Sequence, residues 1–352
     1  MYLAGLGTAT PAQRYTKADC WEAFTVSPWF GRLDRRARAI AEFVLSRDNG
    51  IEARRLALAS LDEVFVIDPD TLHARFLQHA PSLATQAAER ALADAGCGAG
   101  EIDALVISTC TGYLCPGLTS YVAQALGLRA QVQALDLVGQ GCGAALPNWR
   151  TAEALLTSGR CARVLSVCVE VCSAAMYLDN DPGVLISACL FGDGAGAAVL
   201  SATPVAGKRS VRWAGAASLV DPAQRDALRF EQRDGLLRNI LTREVPALAG
   251  DYAARVLATV LAEQGLQRPD INGWILHAGG RDVLLALRER LDLSEADQRH
   301  SAAMLREYGN LSSAFVYFVL QAALADGMPG GRWWMAAFGA GFSSHGALLE
   351  VE

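Results

Sequence analysis

The chain has 352 residues, long for a single core, and its 52% hydrophobic against 19% charged residues excludes a disordered polymer. A formal charge of −6 gives no overall attraction for nucleic acid, and no uninterrupted apolar run reaches the roughly 20 residues of a membrane span. All nine cysteines lie between Cys20 and Cys189, an odd number without CxxC spacing, which argues against a disulfide framework and against a zinc site; no metal is expected.

The first residues, "MYLAGLGTATPAQRY", lack the basic start and long apolar stretch of a secretory leader, so the cytoplasm is the expected compartment. Further on, "APSLATQAAERALADAGCGAGEIDALVISTCTG" places alanine and leucine at three- and four-residue spacing, then a glycine stop, then the apolar run "ALVIST". That order predicts a helix followed by a strand. The segment "DYAARVLATVLAEQGLQRPDINGWILHAGG" repeats it, and aligning Ile107 with Leu276 gives an offset of 169 residues.

Carried forward, the same offset sets Cys142, in "ALDLVGQGCGAALP", opposite Leu311, which adjoins Asn310 in "REYGNLSSAF". Each copy continues with a helix ending in glycine, an apolar strand ("ARVLSVCVE" or "RWWMAAFGAG") and a glycine-punctuated closing strand ("FGDGAGAAVLSA" or "FGAGFSSHGALLEV"). The first copy carries about twenty extra residues, Cys172 to Leu190. Strands alternating with helices twice over predict an α/β architecture of two pseudo-symmetric halves, 1–204 and 205–352. Pseudo-twofold packing would bring the Cys142, His277 and Asn310 loops to one cleft.

Those three residues form a coherent set. Cys142 sits among glycines and small residues ahead of a helix-like segment, where a helix dipole favours the thiolate. His277 closes the strand "GWILH" and is followed by Ala278, Gly279 and Gly280, which let a ligand approach the backbone. Asn310 also reads as a helix cap. Together they would give a thiolate that attacks a carbonyl, an imidazolium that stabilises it, and two donors for a developing oxyanion.

At these positions the sequence resembles the type III polyketide synthases, the chalcone synthase-like branch of the thiolase superfamily. "GQGCGA", "HAGG", "YGNLSSA" and "LFGDGAGA" are similar, in order, to that family's motifs, and the likeness covers almost the whole chain. It implies a thiolase-like duplicated five-layer αβαβα fold and a homodimer. It implies no cofactor beyond coenzyme A thioesters used as substrates, malonyl-CoA and an acyl-CoA starter. Cys142 would carry the acyl chain, and His277 with Asn310 would stabilise the enolate left by decarboxylation.

The resemblance also implies a substrate cavity. Phe191 matches a gatekeeper phenylalanine; Cys110, Thr111, Cys172, Ala175, Ser187 and Ser312 line or approach the pocket; and Cys115 is a candidate contributor to the neighbouring subunit's cavity. Arg238 and Asn239 stand where plant enzymes have the second gatekeeper. Arg54 and Arg55 match a basic segment that binds CoA phosphates, with Gly279 and Gly280 as backbone contacts. Ala278 and Ala340 replace family prolines. Small residues in the pocket favour a fatty acyl starter and an alkylresorcinol or alkylpyrone product. Aryl starters remain open, as does malonyl-only assembly of a dihydroxyphenyl product, which "CSAAMYLD" encourages. Competing readings are a ketoacyl synthase that performs one condensation, a Cys-His-Asn hydrolase and an inactive interaction protein.

Overall fold

The computed structural model describes residues 1–352. Nine strands lie in the order Ile271–Leu276, Gly331–Gly339, Ser343–Val351, Val211–Val220, Tyr2–Ala9, Gly194–Ser201, Arg163–Glu170, Ala104–Ser108 and Gln133–Leu137. Where Val211–Val220 meets Tyr2–Ala9 the ladder narrows to one pair, Tyr2 opposite Arg212, so two half-sheets meet at a corner. Outward from that corner both halves run through two antiparallel pairings and then a parallel one, and the first half adds a fifth strand.

Strand alternation sorts the side chains into layers. Leu105 and Ile107 face the helix Pro69–Ala95, while Ala104 and Val106 face a core shared by both halves. In the second half Trp334 and Ala336 face the helix Val245–Gln264, and Trp333 and Met335 enter the shared core. The helices Ala145–Thr157 and Phe315–Ala325 fill that core and touch strands of both half-sheets. Phe315–Ala325, "FVYFVLQAALA", is apolar nearly all round, as a helix between two sheets must be. The result is helix, sheet, helix pair, sheet, helix: two α/β halves as the repeat predicts, in the five layers that the family resemblance implied.

Val245–Gln264 is long and apolar enough to cross a bilayer, but it carries Asp251, Arg255 and Glu263 and half of it is buried in the protein, so it serves as a core helix.

Three segments lie outside the duplicated pattern. The helices Lys17–Val26 and Arg35–Ser46 follow the first strand; the helix Pro182–Leu190 occupies the extra segment of the first half; and a hairpin pairs Leu228–Arg233 with Leu236–Leu241. The hairpin was not anticipated from sequence, although Asp234-Gly235, both at positive φ (52° and 77°), is the tight-turn dipeptide that marks one.

Candidate active site

Cys142 and Asn310 come from matching places in the two halves, and His277 from the end of a strand in the second half. Cys142 lies in the 3₁₀ turn Gly141–Gly143 leading into Ala145–Thr157, and that turn packs against its counterpart, Ser312–Ala314, ahead of Phe315–Ala325. His277 directly follows the strand Ile271–Leu276, and its backbone N–H continues the ladder to Ala336 O at 2.9 Å. Asn310 follows Gly309, whose backbone (φ 68°, ψ −160°) and surroundings admit only glycine, because a Cβ there would stand 2.6 Å from Leu190 O.

The Asn310 amide is held in one orientation. Its Nδ2 donates to Gly279 O (3.1 Å) and its Oδ1 accepts from the Ser312 N–H (2.8 Å), which leaves the second Nδ2 hydrogen for a ligand. A Cβ placed on Gly279 would lie 3.9 Å from both Asn310 Nδ2 and His277 Nε2, so the two side chains converge across that glycine. Phe315 meets the His277 ring edge-on at 5.3 Å, and Nδ1 is buried without a hydrogen-bond partner.

Cys142 is 9% exposed. Ser312 Oγ donates to its Sγ at 3.2 Å and also stands 3.3 Å from Glu170 Oε1. Glu170, fully buried at the end of Arg163–Glu170, accepts further bonds from the Cys110 N–H (3.1 Å), Thr111 Oγ1 (2.9 Å) and Ser313 Oγ. Sequence reasoning passed over Glu170. The signal available was a carboxylate closing the apolar strand "ARVLSVCVE", where only a set of donors makes it tolerable.

Burial decides the charge states. It pushes the Cys142 thiol up to about 12, against the lowering effect of the Ser312 hydrogen bond, and pushes His277 down to about 3. The Glu170 carboxyl is also raised, burial outweighing its donors. Burial alone thus favours the neutral thiol and the neutral imidazole, and works against the thiolate and imidazolium expected from sequence.

Cys142 opens onto a cavity of about 530 Å³, its mouth included, whose walls include Cys110, Thr111, Cys172, Ala175, Ser187, Phe191 and Ser312. Phe230 and Asn239, ladder partners in the hairpin, line it as well, as do Met176 and Tyr177. Arg238 does not. Successive residues of a strand face opposite ways, and Arg238 turns into carboxylates instead, bonding Asp179 (2.8 Å), Asp181 (3.3 Å) and Glu231 (2.9 Å). Cys115 is exposed and lies outside this cavity.

The two arginines expected to contact CoA differ in placement. Arg54 is buried, its guanidinium donating to Ala188 O (2.8 Å), Phe191 O (3.1 Å) and Cys20 Sγ (3.3 Å). Arg55 is half-buried and bonded to Glu307 (3.1 Å) and Ala12 O. The Arg54 guanidinium is turned away from solvent, whereas Arg55 keeps part of its side chain at the surface. Gly279 lies beside His277 and Asn310, and Gly280 opens the helix Arg281–Arg290.

Behind the first cavity is a second, of about 480 Å³, sharing Leu56, Met176 and Ala188 with it. Phe24, Ala41, Leu45, Phe65 and Leu185 wall it, and Arg54 is its one charged residue.

Residues 3–204 match the N-terminal domain of chalcone and stilbene synthases, and residues 217–349 match the C-terminal domain. The chain is 30% identical to a 3,5-dihydroxyphenylacetyl-CoA synthase of Streptomyces toyocaensis, covering 99% of this chain and 89% of that one. It is also 30% identical to an alpha-pyrone synthesis polyketide synthase-like protein of Mycobacterium tuberculosis, covering 99% and 91%. Among solved structures it superimposes on PKS-I of the brown alga Ectocarpus siliculosus with a TM-score of 0.90 at 25% identity, covering 99% and 98%. The 1,3,6,8-tetrahydroxynaphthalene synthase of Streptomyces coelicolor A3(2) gives 0.87 at 26%, covering 100% and 99%. With both domains matched along almost its whole length, the chain belongs to the chalcone and stilbene synthases, the type III polyketide synthases, and is a condensing acyltransferase on a thiolase-like fold.

Proposed function

We propose that the protein extends an elongated acyl-CoA starter with malonyl-CoA through Cys142, His277 and Asn310, and cyclises the product to an alkylresorcinol or alkylpyrone. Cys142 sulfur bonds to the starter carbonyl while the carbon–sulfur bond to coenzyme A breaks, and the thiol proton leaves with CoA. His277 Nε2 and the free Asn310 N–H donate to the carbonyl oxygen of malonyl-CoA as it loses carbon dioxide, holding the enolate. The enolate carbon attacks the acyl–Cys142 carbonyl, the sulfur departs as thiolate and takes up a proton, and the extended chain, now a CoA thioester, transfers back to Cys142 with release of CoA for the next round. In this reading residues 1–204 bring the nucleophile and residues 205–352 the two donors.

The observation that carries the choice of starter is the second cavity. Leu56, Met176 and Ala188 separate the cavity at Cys142 from this almost wholly apolar one, so a chain attached to Cys142 would enter it by displacing them. The lining of the second cavity, hydrophobic at every position except Arg54, suits an alkyl chain better than a polar acyl group. Malonyl-only assembly of a dihydroxyphenyl product is the second reading, favoured by the similarity to the dihydroxyphenylacetyl-CoA synthase.

Mass spectrometry of products from a panel of acyl-CoA starters with labelled malonyl-CoA, run beside Cys142→Ala, separates these. A product holding an alkyl starter and two or more malonate-derived units, absent in the variant, supports the proposal. Product from malonyl-CoA alone selects the second reading. Free acid or a single condensation rejects iterative synthesis.

We further propose a homodimer working in the cytoplasm, where CoA esters are available. The strand Gln133–Leu137 pairs along one edge only, and its Leu135 and the following Val138 are 37% and 63% exposed, an apolar edge suited to a second copy. Light scattering at assay concentration tests it, and a monomer that turns over at the full rate rejects it.

A further inference from the structure

We infer that Arg54 is a positioning residue that sets Phe191 and Asn310 relative to one another, rather than a contact for coenzyme A. This inference rests on the proposed roles of those two residues. The end of the helix Pro182–Leu190 leaves carbonyl groups without intrahelical partners. Arg54 takes those of Ala188 and Phe191, at 2.8 and 3.1 Å, and the Asn310 N–H takes the one between them, Leu190 O, at 2.9 Å. The Gly192 N–H returns a bond to Asn310 O at 3.0 Å, so residues 188–192 and the catalytic asparagine are zipped together with the guanidinium filling the seam.

The stem of Arg54 closes the same joint from the other side. A Cβ on Gly309 would come within 3.0 Å of Arg54 Cγ, so the arginine packs directly on the residue that aims Asn310. Its remaining bond, to Cys20 Sγ at 3.3 Å, ties the joint to the helix Lys17–Val26. Arg54 is 7% exposed and its three hydrogen-bond partners are two carbonyls and a thiol. Its charge is met by the negative end of the helix it caps. A cation buried in this way is costly unless it is well paired, and here two of its donors go to the backbone of the cavity wall and a third to Cys20 Sγ.

Arg54→Met keeps the apolar stem and removes the donors, and Arg54→Lys keeps the charge and one donor direction. Each is compared with wild type for malonyl-CoA decarboxylation (kcat and KM against ionic strength), for thermal stability and for the mass spectrum of products. The expected result for Arg54→Met is a decarboxylation kcat lower by about ten- to a hundredfold, since small displacements of catalytic groups cost that much. The KM for malonyl-CoA should keep its value and its salt dependence, and products should shift in extension number. Arg54→Lys should recover part of kcat. If Arg54→Met does not fold, Arg54→Lys carries the test, with lowered kcat and altered products at an unchanged melting temperature as the supporting result.

A raised, salt-dependent KM with unchanged kcat overturns the inference and restores a phosphate contact. Unchanged kcat and products overturn it too, as does a kcat loss that only follows the loss of stability in both variants. Wild-type enzyme that decarboxylates malonyl-CoA yet makes no polyketide refutes the synthase reading alone, because the variant-to-wild-type ratio in decarboxylation still judges Arg54.

Discussion

The hydroxyl of Ser312 stands between Cys142 Sγ, at 3.2 Å, and Glu170 Oε1, at 3.3 Å, with one proton to give. While the thiol is neutral the proton serves Glu170. When Cys142 is a thiolate the proton turns to sulfur. Ser312 holds this place at φ 51°, a left-handed conformation rare outside glycine, so the backbone is set for the side chain's position.

Ser312→Ala should make the thiolate harder to form. A hydrogen bond to a charged group is worth about 1.5–3 kcal/mol, so iodoacetamide should inactivate the variant about tenfold more slowly at a fixed pH, with the inactivation curve displaced to higher pH. Equal rates for variant and wild type would show that the hydroxyl does not reach the sulfur in solution.

The depressed pKa of His277, about 3, predicts a neutral imidazole at every working pH. The acid limb of the decarboxylation rate should fall below pH 5 and not near the ordinary histidine value. His277→Gln, which retains an N–H donor, should keep more activity than His277→Ala, whose loss should be about a hundred- to a thousandfold. An acid limb near pH 6.5 that disappears in His277→Gln would mean that the ring titrates there.

Glu170 gives a stability prediction of definite sign. Burial raises its pKa, so the folded state binds the proton more tightly than the unfolded state. Its contribution is present below the ordinary carboxylate range and declines as pH rises through the raised value. Glu170→Gln can offer its oxygen to the fixed Cys110 N–H while the hydroxyls of Ser312 and Ser313 rotate to accept from its amide. Its melting temperature should therefore change less between pH 5 and pH 8 than that of wild type, as differential scanning fluorimetry would measure. An equal change in both proteins would assign the pH dependence elsewhere.

Met176 and Ala188 stand between the two cavities. Ala188→Leu should narrow the passage and shift preference toward shorter starters, and Met176→Ala should widen it. The latter removes buried apolar volume at a cost of about 2–5 kcal/mol, so starter preference is to be read from competition assays below its melting temperature. A starter preference unchanged in both variants would exclude the second cavity from chain binding.

Arg238 anchors the cavity hairpin by three ion pairs whose acidic partners are partly in water. Arg238→Ala should cost about 1–3 kcal/mol and broaden the product distribution through Phe230 and Asn239. A melting temperature and products unchanged from wild type would mean that the hairpin holds without it.

The duplicated scaffold was legible because it repeats. Helix periodicity, glycine stops and apolar strands recur at one offset, and the positions of Cys142, His277 and Asn310 follow from that order. Direction was harder to read than position. Arg238 and Asn239 differ only in strand parity, which depended on a hairpin register set by Asp234-Gly235. Arg54 matched a basic motif, yet whether it faces solvent or a helix end is decided by Ala188 and Phe191, far along the chain. Glu170 was hidden because its donors come from two distant segments, residues 109–111 and 312–313, and the second cavity because helices near the N-terminus close it against residues 176–189.

The walls of both cavities draw heavily on the helices Lys17–Val26 and Arg35–Ser46, on residues 172–191 and on the hairpin, segments added to the duplicated scaffold, whereas Cys142, His277 and Asn310 belong to the scaffold itself. Inheritance can thus act on the two separately. Drift in the added segments can explore new products while the reacting groups stay in register, and a library confined to Tyr177, Val184, Ala188 and Phe230 should yield altered specificity far more often than inactive protein.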